Sequence, residues 1–329
     1  MDPEVDPENT LPDEPGVFGM NEVVTVTVIT GMLSTMLTLA TPLLFAALGE
    51  TFAQNSGVLN LGVDGIMLLG AFGAFYAVLT TSSLLLGVLV AMLIGLVMGL
   101  MMSFVSVTLK AEQGVSGIGL QMFGLGMSSL LFKQLVGTVK TVRGFPRLAI
   151  PLLSDIPVVG PILFNNTILV YIAFALVPIS WWILERSTIG LTIKSVGQNP
   201  AAADSRGVQV NRVRYASVCI GAVLAGLAGA SLSISVTNLF QDNLTAGQGF
   251  IAVALVYFGG WTPIGVMLGA LLFSIANSIQ LWLQVLGVDL PASLANMLPY
   301  ILTIVALTVT VHRGRRPAAL NKPFLRGEN

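Results

Sequence analysis

AALGETFAQNSGVLNLGVDGIMLLGAFGAF, from Ala46 to Phe75, sets Glu50, Gln54, Asn55, Asn60 and Asp64 among glycines between two strongly apolar runs. In a water-soluble chain this would be an ordinary polar loop. The rest of the sequence makes it something else. Hydrophobic residues make up 54% of the 329 positions and charged residues only 9%, against about 25% charged in a typical soluble domain. Lipid offers backbone and polar side chains no hydrogen-bond partners, so an interrupted, polar helix at membrane depth must face protein or water. An acid kept there is costly, and its default reading is functional.

Spanning helices need about 20 apolar residues, which puts spans at roughly 24–48, 61–80, 84–108, 114–136, 166–185, 213–236, 246–260, 263–286 and 295–312. The fold class expected is an all-α integral membrane protein, a polytopic bundle of about 8–10 transmembrane helices with broken or re-entrant segments. Residues 49–60 and 237–250 are too polar for plain lipid-facing helix and are read as those broken pieces. An internal echo accompanies them. NLGVDGIMLLGAFGAF (Asn60–Phe75) and TAGQGFIAVALVYFGG (Thr245–Gly260) each join a glycine-containing polar entry to an apolar run. Shared Gly, Ala and Val composition and a true pseudo-repeat explain this equally well. Duplicated halves with broken helices are a transporter signature.

Charge is segregated. No Lys or Arg precedes Lys110. Residues 1–22 are acidic and proline-containing, a solvated tail without the basic start of a signal peptide. Basic residues gather at Arg186, Lys194, Arg206, Arg212 and Arg214, and again at Arg313, Arg315, Arg316, Lys322 and Arg326. Both groups are expected in the cytoplasm, the second as a basic tail over 313–329. Counting spans back from them leaves the N-terminus outside, or inside if the 41–60 region crosses completely as an extra span. Lys133, Lys140, Arg143 and Arg147 then fall at the outer face, against the trend. The proline-containing segment 137–165 reads as an external loop. The net charge of −1 gives no nucleic-acid footprint. One cysteine, Cys219, and one histidine, His312, argue against a Cys/His metal site.

ERSTIGLTIKSVGQNPAAADSRGVQVNRVRYAS (Glu185–Ser217) is the second informative stretch. Asn199 is placed to cap a short helix with Pro200 in its first turn, the alanines at 201–203 favour helix, and Gly207 ends it. A helix held out on a polar loop of this length is a docking surface for a partner. In the span that follows, Gly221, Ala222, Ala225, Gly226 and Gly229 form a small-residue stripe of the kind that lets membrane helices approach closely. Trp181, Trp182 and Trp261 read as interfacial anchors.

Taken together, GETFAQNSGVLNLGVDGIMLLGAF, GLTIKSVGQNPAAADSRGV, AVLAGLAGASLS and TAGQGFIAVALVYFGGWTPIGVMLGALLF resemble the permease subunits of ABC importers. The similarity is to the sugar and nucleoside branch related to the ribose and branched-chain amino acid permeases, and it covers about 23–312. The resemblance implies a multi-pass cell-membrane protein working with cytoplasmic ATP-binding subunits, a second permease subunit (a different one favoured) and an extracytoplasmic solute-binding protein. It makes the loop carrying Gly197, Gln198, Asn199, Pro200, Ala201, Ala202, Ala203 and Gly207, within 186–212, the coupling segment that seats in the ATPase. ATP would be used by the partners; the chain itself has no Walker A pattern, and no HExxH or GxSxG either. It is expected to carry no cofactor, no metal and no catalytic residue. Glu50, Asn55, Asn60, Asp64 and Gln248 are the substrate-pathway candidates, suited to the hydroxyls of a neutral polar solute, with helix capping as the competing use of Asn60 and Asp64. The alternative is an ion-coupled secondary transporter using Glu50 or Asp64, which would have no need of a docking helix.

Overall fold

The computed structural model describes residues 17–149, 151, 154, 156, 159–285, 297, 301 and 316–325. Its first helix, α1 (Val17–Asn55), carries Pro42 inside it and ends at a non-helical break over 56–62. Then come α2 (Val63–Thr81), α3 (Leu84–Ser103) and α4 (Gln113–Leu135). A small peripheral piece follows: β1 (Arg147–Ala149), α5 (Val159–Leu163) and β2 (Asn165–Thr167). The two strands pair antiparallel with Arg147 opposite Thr167. The chain continues through α6 (Ile168–Arg186), α7 (Thr188–Gln198), α8 (Pro200–Ser205), α9 (Val210–Ser231), α10 (Gln248–Phe258) and α11 (Pro263–Val285). Single π turns extend α3 over Phe104–Thr108 and α9 over Leu232–Val236.

Among the described residues, seven helices are long and apolar enough to cross a bilayer, within α1, α2, α3, α4, α6, α9 and α11. The expected span over 246–260 is the shorter α10, and the one over 295–312 lies outside the described residues. Two boundaries differ from the sequence reading. Val17–Glu22 belong to α1, because a helix already nucleated propagates at little cost into an apolar stretch; residues 1–16 of the acidic segment lie outside the described residues. And α1 is unbroken through Glu50, Gln54 and Asn55, so the interruption expected over 49–60 is confined to 56–62. Tertiary partners satisfy those polar side chains, so the helix has no need to unwind.

The small-residue stripe makes α9 the centre of the bundle. A Cβ on Gly229 would sit 1.9 Å from the Met67 carbonyl oxygen of α2, and one on Gly226 would sit 2.3 Å from the Ala91 carbonyl of α3. Gly221 meets Gly49 of α1 backbone to backbone. Without hydrophobic drive inside lipid, such close contact is what holds helices together. The outer faces of α3 and α4 carry exposed Leu85, Leu89, Leu93, Val115, Ile118 and Met122, as lipid-facing helices should.

Contacts fix two ends. At one, the α7–α8 loop, the 56–62 break, the start of α4 and residues 316–325 come together: Leu59 N–H donates to Gln113 Oε1 (2.8 Å), and Ala319 N–H to the Gly197 carbonyl (2.9 Å). At the far end, residues 141–145 bond to 234–239; Val142 N–H donates to the Asn238 carbonyl. So α1 runs toward the loop end, while α2, α4 and α9 run away from it. The chain after α9 returns from the far end as turns over 237–247, with Phe240 packed among Phe72, Phe75 and Phe132. It reaches the bundle interior before α10 begins.

Candidate functional site

The polar stretch builds a knot of buried bonds around the break. Glu50 and Gln54 sit one turn apart on α1. Glu50 Oε1 accepts from Gln54 Nε2 (3.1 Å) and from the Asn60 main-chain N–H (3.0 Å), pinning the far side of the break to the helix before it. Asn60 Oδ1 accepts from Gly62 N–H (2.9 Å), a local turn that delivers the chain into α2. Asn55 Nδ2 donates to the Thr51 carbonyl (2.8 Å) and to the Trp261 carbonyl (3.0 Å). The Trp261 indole donates to Gln54 Oε1 (2.8 Å). Trp261 is therefore a buried, hydrogen-bonded residue at the end of α10, and the interfacial anchor read from sequence is corrected. Its indole N–H needs an acceptor, and Gln54 supplies one inside the bundle.

Asp64 does something different. It lies in the first turn of α2, and its Oδ1 accepts from the Gly249 N–H in the first turn of α10 (2.9 Å). One carboxylate thus faces the positive ends of two helices, a favourable place for a negative charge. The internal echo acquires geometry here. Aligned residue by residue, Asn60–Phe75 and Thr245–Gly260 place Gly62 opposite Gly247, and these are the N-cap residues of α2 and α10. Asp64 falls opposite Gly249, the residue it bonds. The two helices leave this point in opposite directions: α2 toward the far end, and α10 toward Gln54 and Asn55 at the loop end. The spanning helix α2 and the shorter α10 meet N-terminus to N-terminus with opposite direction, as paired helices of an inverted repeat do.

The meeting point is deep. Leu59 bonds Gln113 at the start of α4, while a Cβ on Gly65 would touch Gln121 and one on Gly124 would touch Gly65. At 1.5 Å per residue that places Asp64 about 12–16 Å along α4 from its loop end, near the middle of a hydrocarbon core about 30 Å thick.

Of the pathway candidates, the structure brings together Glu50 with Asn60 and Asp64 with the first turn of α10, where Gln248 stands; Asn55 joins the Trp261 end. Glu50, Asn55, Asn60 and Asp64 are buried, each with a partner. Gln248 is half-buried, and its buried Oε1 has no partner among the described residues. Among the described residues no group of three His, Cys, Asp or Glu is placed to hold a metal. The knot positions two helix ends.

The loop expected to dock a partner is ordered as two helices. Asn199 caps α8 by accepting from Ala202 N–H (3.0 Å), Pro200 opens it, and Gly207 (φ +85°) closes it in the left-handed conformation that favours glycine. Gln198, Asn199, Ala202 and Gly207 are exposed; Pro200 and Ala201 are half-buried; Ala203 is buried in a cluster with Val196 and Val210. Gly197 faces inward. A Cβ there would lie 2.0 Å from the Asn55 carbonyl oxygen, so the docking loop rests directly on the end of α1 beside the break. Sequence reading named Gln54 in the polar stretch but not among the pathway candidates, and it missed Trp261, Gly249, Gln113 and Arg214 as members of this assembly. The Glu50–Gln54 spacing, one helical turn, was the available signal for Gln54; the others depend on long-range contacts. Arg214 is buried in α9, donates Nη1 to the Lys322 carbonyl (3.1 Å), and has no acceptor for Nε and Nη2 among the described residues.

Residues 32–307 match the family described as branched-chain amino acid transport system / permease component. The chain is 37% identical to the putative glucose ABC transporter permease protein TsgC13 of Haloferax volcanii, covering 86% of this chain and 92% of that one. It is 36% identical to the guanosine ABC transporter permease protein NupQ of Bacillus subtilis, covering 88% and 94%. With the nucleoside ABC transporter permease protein NupC of Lactococcus lactis it shares 35% identity over 91% and 97%. No solved structure matches.

Proposed function

The chain belongs to the branched-chain amino acid transport system permease family, and from that premise we propose that it is the membrane-spanning subunit of an ABC importer for a nucleoside or a sugar-like neutral solute. The relatives' names supply the substrate class. Energy comes from separate ATP-binding subunits, and an extracytoplasmic binding protein delivers the solute. Two Bacillus subtilis proteins that resemble this chain, NupQ and NupP, are both named guanosine ABC transporter permease proteins, and NupC and NupB of Lactococcus lactis both carry the nucleoside name. That pairing favours a second, different permease subunit beside this one.

The observation that carries the reading is the capped, exposed α8 whose neighbour Gly197 bears on Asn55 at the break. A secondary transporter needs no such lever, and the Asp64 carboxylate that an ion-coupled mechanism would use already holds α10. ATP binding in the partners moves α7 and α8. The break over 56–62 and the α2–α10 junction are where the helical path is interrupted, so the change of access is assigned to them. Gln248, with an acceptor to spare at that depth, is the group available to a passing hydroxyl. Weak binding suits a path whose selectivity lies in the binding protein.

Co-purification from the native membrane in mild detergent tests this. The expected result is a Walker-A ATPase that is lost in Asn199→Arg or Ala202→Arg, with membrane insertion unchanged. Uptake of labelled guanosine and glucose by the purified complex then separates the two solute classes. A chain that moves solute in liposomes under an ion gradient, with no ATPase, would refute the reading.

A further inference from the structure

We propose that residues 316–325 form a strap that transmits movement of the docking loop to the helix break, in both directions. The inference rests on the permease reading above. The strap bonds two elements at once. Ala319 N–H donates to the Gly197 carbonyl (2.9 Å) on the docking loop, and Asn321 N–H donates to the Gly57 carbonyl (3.3 Å) inside the break. Ala318 N–H points to Gln198 Oε1 at 3.4 Å. The Lys322 carbonyl accepts from Arg214 Nη1 (3.1 Å), which ties the strap to α9 as well.

Side chains anchor it. Leu320 is buried in the main core, and Phe324 packs on the Val196, Ala203 and Val210 cluster beneath α8. The segment read from sequence as part of a basic cytoplasmic tail packs, over 316–325, into the folded body. Its turn is specified locally: Lys322 N–H returns to the Ala319 carbonyl, and Asn321 takes φ +62°, a conformation asparagine tolerates better than most residues.

The physical reason for a strap lies in what the direct contact lacks. Gly197 packs against the Asn55 carbonyl. Such a contact is short-ranged and non-directional, so it resists separation less than a hydrogen bond does. A transport cycle must move the break and then bring it back. The strap's hydrogen bonds are directional and resist separation, and their two acceptors sit on either side of that contact. When the docking loop withdraws, the strap draws the break after it.

The test uses the purified complex with its ATPase subunits in liposomes, and reads solute taken up per ATP hydrolysed. Asn321→Pro removes the N–H that bonds Gly57 and forbids the positive φ; Asn321→Gly keeps both. Uptake per ATP should fall on the order of fivefold in the first, from the loss of one hydrogen bond, and stay at the wild-type value in the second. ATPase subunits should remain bound in both. Leu320→Ala, which loosens the anchor without touching the strap's main-chain bonds, should also lower the ratio and serves where the proline variant fails to assemble. An assembled Asn321→Pro or Leu320→Ala complex with wild-type uptake per ATP overturns the strap while leaving the permease reading intact. A wild-type chain that never retains an ATPase overturns the permease reading, and the strap with it.

Discussion

At the residue scale, Asp64 decides between a ligand and a clasp. Its carboxylate accepts a buried N–H from α10 while standing in the first turn of α2. Removing it by Asp64→Ala leaves the Gly249 N–H without a partner, a cost of about 1–3 kcal/mol. Asp64→Asn retains an acceptor oxygen and should cost less. The expected order of melting temperature for the detergent-purified protein is wild type, then Asn, then Ala. Equal melting temperatures with transport lost in both variants would make Asp64 a solute ligand instead. Glycine contacts give a second expectation. Gly229→Ala drives a methyl group into the Met67 carbonyl, whereas a Cβ on Gly126 of α4 meets nothing within 4 Å. The first should destabilise by about 1–3 kcal/mol, and Gly126→Ala should leave the melting temperature near wild type. The stripe that contains Gly229 was visible in the sequence, because small residues repeating every fourth position have one economical use in a membrane. That Gly197 is a contact residue was not visible, since its partner, Asn55, is distant in sequence and on another element.

At the scale of elements, caps show how local sequence sets helix ends that the function uses. Asn199 fixes the start of α8 as the spacing predicts, and Asn199→Ala should cost about 0.5–2 kcal/mol in local helix stability. Glu112 caps α4 in the same manner: its carboxylate accepts from Val115 N–H (2.5 Å) and Gly114 N–H (3.1 Å). Those two bonds, Val115 first, hold its carboxyl below the ordinary value of 4.5, despite the opposing effect of desolvation. A carboxylate whose folded value is depressed stabilises the fold above its ordinary range and loses that contribution as pH falls through the depressed value. The melting temperature of wild type should therefore exceed that of Glu112→Ala at neutral pH, and the difference should shrink as pH drops well below 4.5. A gap that stays constant on acidification would mean the cap acts through shape alone. The long apolar helices and the α8 helix were legible because hydropathy and capping are local signals. The continuity of α1 through Glu50 was not, because it depends on Trp261 and Asn60 arriving from elsewhere to satisfy its polar side chains. The echo was legible as a pattern; only geometry places its two glycine caps face to face.

At the scale of the molecule, the remaining question is which end faces the cytoplasm. The loop end carries Lys110, Arg186, Lys194, Arg206, Arg212, Arg316 and Lys322; the far end carries Lys133, Lys140, Arg143 and Arg147. Among the described residues, Lys133 faces Asp242 (3.9 Å) and Lys194 pairs with Glu185 (2.5 Å). The balance still favours the loop end inside, since orientation follows the basic residues near the ends of spans rather than net charge. With α1 running toward that end, its Val17 end is expected on the outer face. Single cysteines in a Cys219→Ser background test this in intact cells with a membrane-impermeant thiol reagent. Val139→Cys, on the exposed far-end loop, should label at once, while Ser205→Cys, exposed on α8, should label only after permeabilisation. The reverse pattern would turn the whole bundle over. It would put α8 outside the cell, away from any ATPase, and so remove the docking role of Asn199 and Ala202 in the same experiment.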